Sequence, residues 1–410
     1  MDEEKKLKQI MEVGLELTGI KDIDVLLERV LLEARKAVNA DAGSIYTIRD
    51  NKLEFRYTQN DTLQKQLAPG KKLIYSTFSI PVNNSSIAGY VAGNGELLNI
   101  PDVHNLPGGV PYTFAKKYDE ASKYVTQAML TLPLKTHRGN IIGVLQLINP
   151  KNQEGGVTQF ARDDELYIKY FANTAANYIE RAQMTRTMIL RMINMAELRD
   201  PKETGTHVNR VGAYSVEIYE HWATKRGVPE QEIAKNKDIL RMAAMLHDVG
   251  KVAISDTILK KPGKFTPDEF EIMKQHTFLG ARLFSTRYSE LDDVSYHIAL
   301  DHHEKWNGKG YPGHINPMTG EPVPEYVDEN NNARGKIEEE IHPFGRIVAI
   351  ADVYDALSCR RVYKEAWEAD QVLETIRKDA GTHFDTEMID SFLAVIDVIR
   401  MIHDQYPEES

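Results

Sequence analysis

Cysteine is nearly missing from this chain of 410 residues: Cys359 is its single thiol. That excludes an internal disulfide framework and any multi-cysteine zinc site, and it fits a reducing compartment. Long apolar runs are missing too. No stretch approaches the roughly 18 consecutive apolar residues of a transmembrane helix, and residues 1–8, rich in Glu and Lys, lack the apolar core of a signal peptide. The expectation is a soluble, cytoplasmic protein with no membrane insertion. A basic excess is absent as well, because 50 Lys and Arg stand against 61 Asp and Glu for a net charge of -11. Polymeric nucleic acid is therefore excluded as the main partner, since binding it demands a basic surface. Any anionic ligand must be captured by a local cluster of cations.

The length and an apolar content of 42% suffice for two cores, since single cores stop growing near about 250 residues. Residues 6–39 carry apolar side chains at helical spacing, among them Ile10, Val13, Leu17, Leu26, Val30 and Leu31. The chain thus starts as two helices parted near Gly19. Strand-like segments follow at 43–49 and 53–58 around Asp50 and Asn51, and again at 128–135 and 141–149 around Arg138, Gly139 and Asn140. Two hairpins bracketed by helices read as an α+β domain with an antiparallel sheet over residues 1–182. A seven-residue repeat runs from Ile168 through Ala175, Ala182, Ile189 and Ala196, with Ala172, Ile179, Arg186 and Ile193 between them. It fits either a helix packed on its own domain or a parallel coiled-coil homodimer, and residues 183–200 read as a helical linker. From 201 to 410 most segments have helical periodicity, including 208–222, 239–246, 267–283, 346–357 and 369–378. A multidomain chain is expected, its second domain an all-α bundle.

That second domain carries polar residues at the edges of apolar helices. His247 and Asp248 end the stretch Ala243-Ala244-Met245-Leu246 and precede Gly250 and Lys251. His207 lies upstream, while His276, the adjacent His302 and His303, and Asp352 on the apolar stretch 347–352 lie downstream. A His-Asp pair alone would read as a capped helix end. Five histidines and two aspartates at such positions can converge inside a bundle. A buried ionised carboxylate such as Asp352 is costly unless paired, and a bound cation is a natural compensation. Seven donors exceed the needs of one ion, so at least two metals are expected, with Asp248 as the bridging carboxylate. Imidazole and carboxylate without thiolate suit iron, manganese, nickel or zinc rather than magnesium.

The segment His247-Asp248-Val249-Gly250-Lys251, together with Asn307-Gly308-Lys309-Gly310-Tyr311-Pro312-Gly313, resembles the HD-GYP family, bacterial hydrolases of the second messenger cyclic di-GMP. The similarity spans about residues 195–398. It implies a helical bundle with two or three metal ions, commonly iron, and hydrolysis to pGpG or GMP; related members accept a cyclic GMP-AMP dinucleotide. The family pattern makes His207, His247, Asp248 and Asp352 ligands shared with the wider HD fold, and His276, His302 and His303 the completion of a second site. It matches Glu203 to an extra carboxylate ligand of trinuclear members, and Arg361 and Lys364 to phosphate-binding cations. Lys251 would contact a nonbridging phosphate oxygen or protonate the departing 3' oxygen. Gly310 would let backbone approach the ligand, and Tyr311 would stack on a guanine. The chain departs from the pattern between Gly313 and Gly345, where an acidic, Asn- and Pro-rich insertion reads as loop, either a lid that changes substrate access or, the favoured reading, a solvated insertion. A noncatalytic receptor of cyclic dinucleotides is the competing class, and intact ligands favour the enzyme.

In the first domain, the segments 84–91 and 143–149 resemble a GAF domain over residues 21–182, which implies a small-ligand sensor or a dimerising unit. Asn149, Phe160, Asp164 and Glu165 resemble the Asn-Lys-Phe-Asp-Glu signature of cyclic-nucleotide-binding members. Pro150 replaces its lysine, and Lys151 comes one residue late.

Overall fold

A computed structural model of the chain describes residues 12–68, 71–74, 78–197, 205–359 and 367–407. Glu203, Arg361 and Lys364 lie outside these residues. The chain divides into two compact units, Met1–Thr185 and Arg186–Ser410.

In the first unit, residues 12–19 are helical and a second helix, α1, spans Ile23–Ala37. Asp22 caps α1 by accepting hydrogen bonds from the Asp24 and Val25 amides. Strands β1 (Ala40–Arg49) and β2 (Lys52–Asn60) form the first hairpin. Its Asp50 and Asn51 take φ of 48° and 58°, the left-handed conformation that tight hairpin loops require and that Asp and Asn tolerate. β3 (Ser79–Pro81), helix α2 (Ile87–Asn94) and β4 (Leu98–Ile100) follow, then the second hairpin of β5 (Met129–Lys135) and β6 (Ile141–Pro150). The antiparallel sheet has the order β3-β2-β1-β6-β5-β4. The edge strands β3 and β4 have three residues each, too few to display a period-two pattern in the sequence. Strand alternation places Ile45, Leu130, Leu132, Leu145 and Leu147 in a core with α1, while Tyr46, Leu53, Phe55 and Val144 pack with Ala88 and Val91 of α2.

The long helix α3 spans Arg162–Glu197. Ile168, Ala172, Ala175, Ile179 and Ala182 are buried in the first unit's core, and Ile189 and Ile193 in the second's. The seven-residue repeat is thus a packing face within the chain. Its apolar residues up to Ile193 are buried within their own units. Arg186, the break in the repeat, donates to Asn209 Oδ1 at 2.5 Å. Within the expected linker over 183–200, Ile189 and Ile193 belong to a core.

The second unit is helical: α4 (Gly205–Lys225), α5 (Glu230–Ala244), α6 (Pro267–Lys274), α7 (His276–Leu283), α8 (Glu290–Asp301), α9 (Pro343–Ser358), α10 (Ala369–Lys378), α11 (Thr386–Ala394) and α12 (Ile396–Gln405). Val211, Tyr214, Leu240, Ala243, Ile298, Ile347, Val348, Ile350 and Phe392 share its main core. The segment 267–283, which reads as one helix, is two, joined at Gln275. The break places His276 on the first turn of α7, where it is 1% exposed. The 313–345 insertion holds turns, two short 3-10 helices at Pro324–Tyr326 and Glu338–Glu340, and isolated bridges of Ile315 with Pro322 and Val327 with Ala333; its middle is exposed and its last residues open α9.

Candidate metal centre

The site starts where α5 ends. Past Ala244 the chain makes a tight turn, His247 and Asp248, and then a short 3-10 helix at Val249–Ala253. Gly250 is there for space: a Cβ on it would lie 1.9 Å from the His276 carbonyl oxygen and 2.4 Å from the Gly280 amide nitrogen. The His-Asp turn therefore sits directly on the backbone of α7, which carries His276. α4 brings His207, the end of α8 brings His302 and His303, and α9 brings Asp352. All seven His and Asp residues singled out in the sequence converge. They form two groups, Asp248 with His276, His302 and His303, and His207 with His247 and Asp352, with the ligand atoms of each group within 4.8 Å of one another.

Asp248 faces both groups. Its Oδ2 lies 3.2 Å from His247 Nε2, and its Oδ1 lies 3.1 Å from His276 Nε2 and 3.5 Å from His302 Nε2. Asp352 Oδ1 is 3.5 Å from His207 Nε2.

The proton positions decide what this cluster can hold. His247 Nδ1 donates to the Ala244 carbonyl at 2.8 Å, His276 Nδ1 to the Met273 carbonyl at 2.7 Å, and His302 Nδ1 to the Ile298 and Ala299 carbonyls at 3.0 and 3.1 Å. In each case a backbone oxygen three or four residues back fixes the proton on Nδ1, so that Nε2 of the neutral ring presents a lone pair. Burial holds the pKa of His302 below the ordinary value, and burial with the neighbouring His302 and His276 holds His303 well below it. Both rings are accordingly neutral at pH 7. Burial opposes ionisation of Asp248, yet the positive charge of Lys251 beside it holds its carboxyl well below the usual carboxylate range. Among the described residues, the buried Asp248 Oδ1 has no hydrogen-bond donor. Lone pairs of several Nε2 atoms thus converge on a carboxylate, an arrangement that repels itself unless a cation lies between them. The donor set, imidazole nitrogen with carboxylate oxygen and no sulfur, suits a divalent transition metal.

Lys251 Nζ donates to Asp248 Oδ2 at 2.8 Å, so the lysine of the His-Asp turn lies at the centre of the cluster. The Tyr311 ring stacks on His303, with centroids 4.8 Å apart, and meets Phe270 edge-on. One face of the aromatic ring expected to stack on a base is therefore occupied by a histidine of the cluster. The close approach that Gly310 makes is to its own chain, where a Cβ would lie 2.2 Å from the Lys305 nitrogen and 2.4 Å from Glu304 Cα.

Sequence reasoning missed four residues. Asp355, one turn beyond Asp352 on α9, accepts a hydrogen bond from His207 Nδ1 at 2.8 Å, and Arg210, one turn beyond His207 on α4, donates to both its oxygens at 2.6 and 2.8 Å. Burial opposes ionisation of Asp355, but the bonds from His207 and Arg210 outweigh it and hold the carboxyl far below its usual range. The signal was available as charged residues three positions from each ligand on apolar helices. Glu304 and Asp301, which flank the double histidine, anchor the insertion. Glu304 accepts from the Gly313 and Lys336 amides at 2.5 and 3.2 Å, and Asp301 from Lys336 Nζ and the His342 amide at 2.5 and 2.9 Å. The solvated-loop reading thus holds for the middle of the insertion and not for its ends.

In the first unit, the Asn149 side chain accepts from the Gln127 and Ala128 amides and donates to the Val125 carbonyl, which ties the start of β5 to the end of β6. Lys151 Nζ donates to Asp41 at 2.5 Å, Phe160 is in the core, Asp164 accepts from the Ala161 amide, and Glu165 accepts from Asn99. The signature residues support the fold, and Lys151 ion-pairs although it comes one residue late.

Residues 204–357 match the HD domain family and residues 22–179 the GAF domain family. Among similar proteins, a "Probable cyclic di-GMP phosphodiesterase" of Vibrio cholerae serotype O1 is 38% identical over 220 residues, 52% of this chain and 45% of that protein. A "Cyclic di-GMP phosphodiesterase" of Thermotoga maritima is 37% identical over 222 residues, 53% of this chain and 52% of that protein. A "3'3'-cGAMP-specific phosphodiesterase 2" of Vibrio cholerae serotype O1 is 34% identical over 247 residues, 60% of this chain and 42% of that protein. The chain spans about half the length of the curated relatives it matches. No helix among the described residues is long and apolar enough to cross a membrane. The chain therefore joins a GAF domain to an HD domain.

Proposed function

We propose that the HD domain hydrolyses cyclic di-GMP to pGpG or GMP with two or three divalent transition-metal ions, iron first and manganese, nickel or zinc as alternatives. The observation that carries the proposal is the convergence of seven donors in two groups with Asp248 between them. The names of the relatives support this substrate class.

His207, His247 and Asp352 would hold one ion and His276, His302 and His303 another, with Asp248 bridging and Glu203 a further ligand. Metal ions in such a site activate water and neutralise charge on the phosphoryl group. Asp248 sets the spacing between the two groups. Lys251 holds a positive charge and protons beside Asp248, placed to contact a phosphate oxygen or protonate the leaving 3' oxygen. Arg361 and Lys364 would hold the second phosphate, the arginine through its planar fork. Gly310 and Tyr311 shape the wall beside His303. The GAF domain would regulate this activity through a small ligand, in a cytoplasmic homodimer.

A second reading, hydrolysis of a cyclic GMP-AMP dinucleotide, is favoured by the relative named for that substrate. The test is metal analysis of anaerobically purified protein with chromatography of products from both dinucleotides. Cleavage of cyclic di-GMP is the expected result. Fully loaded protein that holds the dinucleotide for hours without product would make it a receptor.

A further inference from the structure

The two ring nitrogens of His207 face two carboxylates from successive turns of one helix: Nε2 lies 3.5 Å from Asp352 Oδ1, and Nδ1 lies 2.8 Å from Asp355 Oδ2. The other four histidines of the cluster sit near chain turns, and three of them fix their tautomer through a backbone carbonyl. His207 lies on α4 and has a side chain as its Nδ1 partner instead. Asp355 is itself immobilised, 1% exposed and held by Arg210 through Nε at 2.6 Å and the terminal nitrogen at 2.8 Å. Arg210 is 2% exposed and is tied further to the Tyr406 carbonyl at 2.9 Å and to Cys359 Sγ at 3.0 Å. The spacing is the same on both helices, three residues from His207 to Arg210 and three from Asp352 to Asp355, so each helix offers one member to the cluster and one to the clamp.

We infer that Asp355, clamped by Arg210, is a positioning residue that fixes the proton of His207 on Nδ1, aims its Nε2 at the centre, and so sets the metal affinity of the His207, His247 and Asp352 group. The inference rests on the metal-site reading above for its second half, and on geometry alone for its first. Asp355 accepts three hydrogen bonds with two oxygens. In Asp355→Asn one of those oxygens becomes an amide nitrogen that can only donate. Turned toward His207, that amide would make Nδ1 the acceptor and move the ring proton to Nε2, where it blocks ligation.

The experiment uses the full chain in metal-free form with 15N-labelled histidine, His207 being assigned from the signal lost in His207→Gln. Wild type is expected to show His207 as the Nδ1–H tautomer and Asp355→Asn to lose it. Mn2+ titration followed by electron paramagnetic resonance should then show one class of sites weakened by about 10–100-fold, with a second class unchanged. The double variant Asp355→Ala with Arg210→Met removes a buried pair together, which is often tolerated. It guards against a fold that fails because one charge is left alone, and the same weakening is expected of it. A Nε2–H tautomer in the wild type, or folded variants with Mn2+ affinity within twofold of wild type, would overturn the inference. Wild type with the Nδ1–H tautomer and no Mn2+ or Fe2+ binding would instead overturn the metal-site reading and leave the tautomer role established.

Discussion

At the scale of single residues, Asp248 and Lys251 are in direct contact and should nonetheless fail differently. Asp248 supplies an oxygen to each donor group, so Asp248→Asn is expected to lose both bound metal and activity, as metal analysis alongside the cleavage assay would read. Lys251 supplies charge beside that carboxylate and is no ligand. Lys251→Met should keep its metal and lose about 10²–10⁴ in kcat, and equal metal loss in both variants would contradict these roles. Gly250 makes a steric prediction. A methyl group there would lie only 1.9 Å from the His276 carbonyl oxygen, so Gly250→Ala should lower stability by about 1–3 kcal/mol in chemical denaturation, and it should loosen metal binding because the turn and α7 must part. The sequence shows a glycine after the His-Asp pair. That its missing side chain makes room for the backbone of a helix about 30 residues downstream is visible in the fold alone.

At the scale of elements, the acidic insertion is anchored by the same corner of chain that presents His302 and His303 to the cluster. Glu304 holds Gly313 at its start and Lys336 near its end, and Asp301 holds Lys336 and the amide of His342, the cap of α9. α9 carries Asp352, so the end of α8 braces both the loop and the helix that complete the site. Glu304→Ala should raise amide exchange at Gly313 and Lys336 by at least about tenfold while leaving the core amides of α4 and α9 protected. Unchanged exchange at those two amides would mean that the bridges at Asn307 with Ile337 and Ile315 with Pro322 hold the insertion without it. Composition alone marked this stretch as loop. It could not show that two acids outside the stretch tie its ends, because those pairings join residues about 10–40 positions apart across a turn of the chain.

At the scale of the whole molecule, several buried histidines make the metal-free protein sensitive to acid. Burial and the stacked His297 push His342 down to about 4, and burial with the nearby Lys305 pushes His383 down to about 4 as well. His302 and His303 shift in the same direction. Between pH 6.5 and 4 the unfolded chain binds protons that the folded chain refuses, so stability is present above 6.5 and is lost as pH falls toward 4. Glu304 opposes this trend, since burial raises its pKa to about 7 and its contribution is lost as pH rises through 7. Four histidines against one carboxyl give the expected outcome, a urea midpoint of the metal-free chain that falls steadily between pH 6.5 and 4.5. A midpoint that rises over that interval would show these rings to be protonated in the fold.

By itself the sequence determined the donor types, their placement at the ends or faces of apolar helices, two hairpins with Asp50-Asn51 and Gly139 at their turns, and two domains. These follow from local rules of spacing and turn chemistry. The tertiary structure decided that His276 begins a new helix, that the seven-residue repeat on α3 packs within the chain, and that the seven donors separate into two groups facing Asp248. It also decided which proton sits on which nitrogen. Three of those protons are set by backbone carbonyls within one helical turn. The fourth, on His207, is set by Asp355 from a helix well over a hundred residues away, and no local pattern encodes that meeting, because it exists once α4 and α9 have buried their apolar faces together.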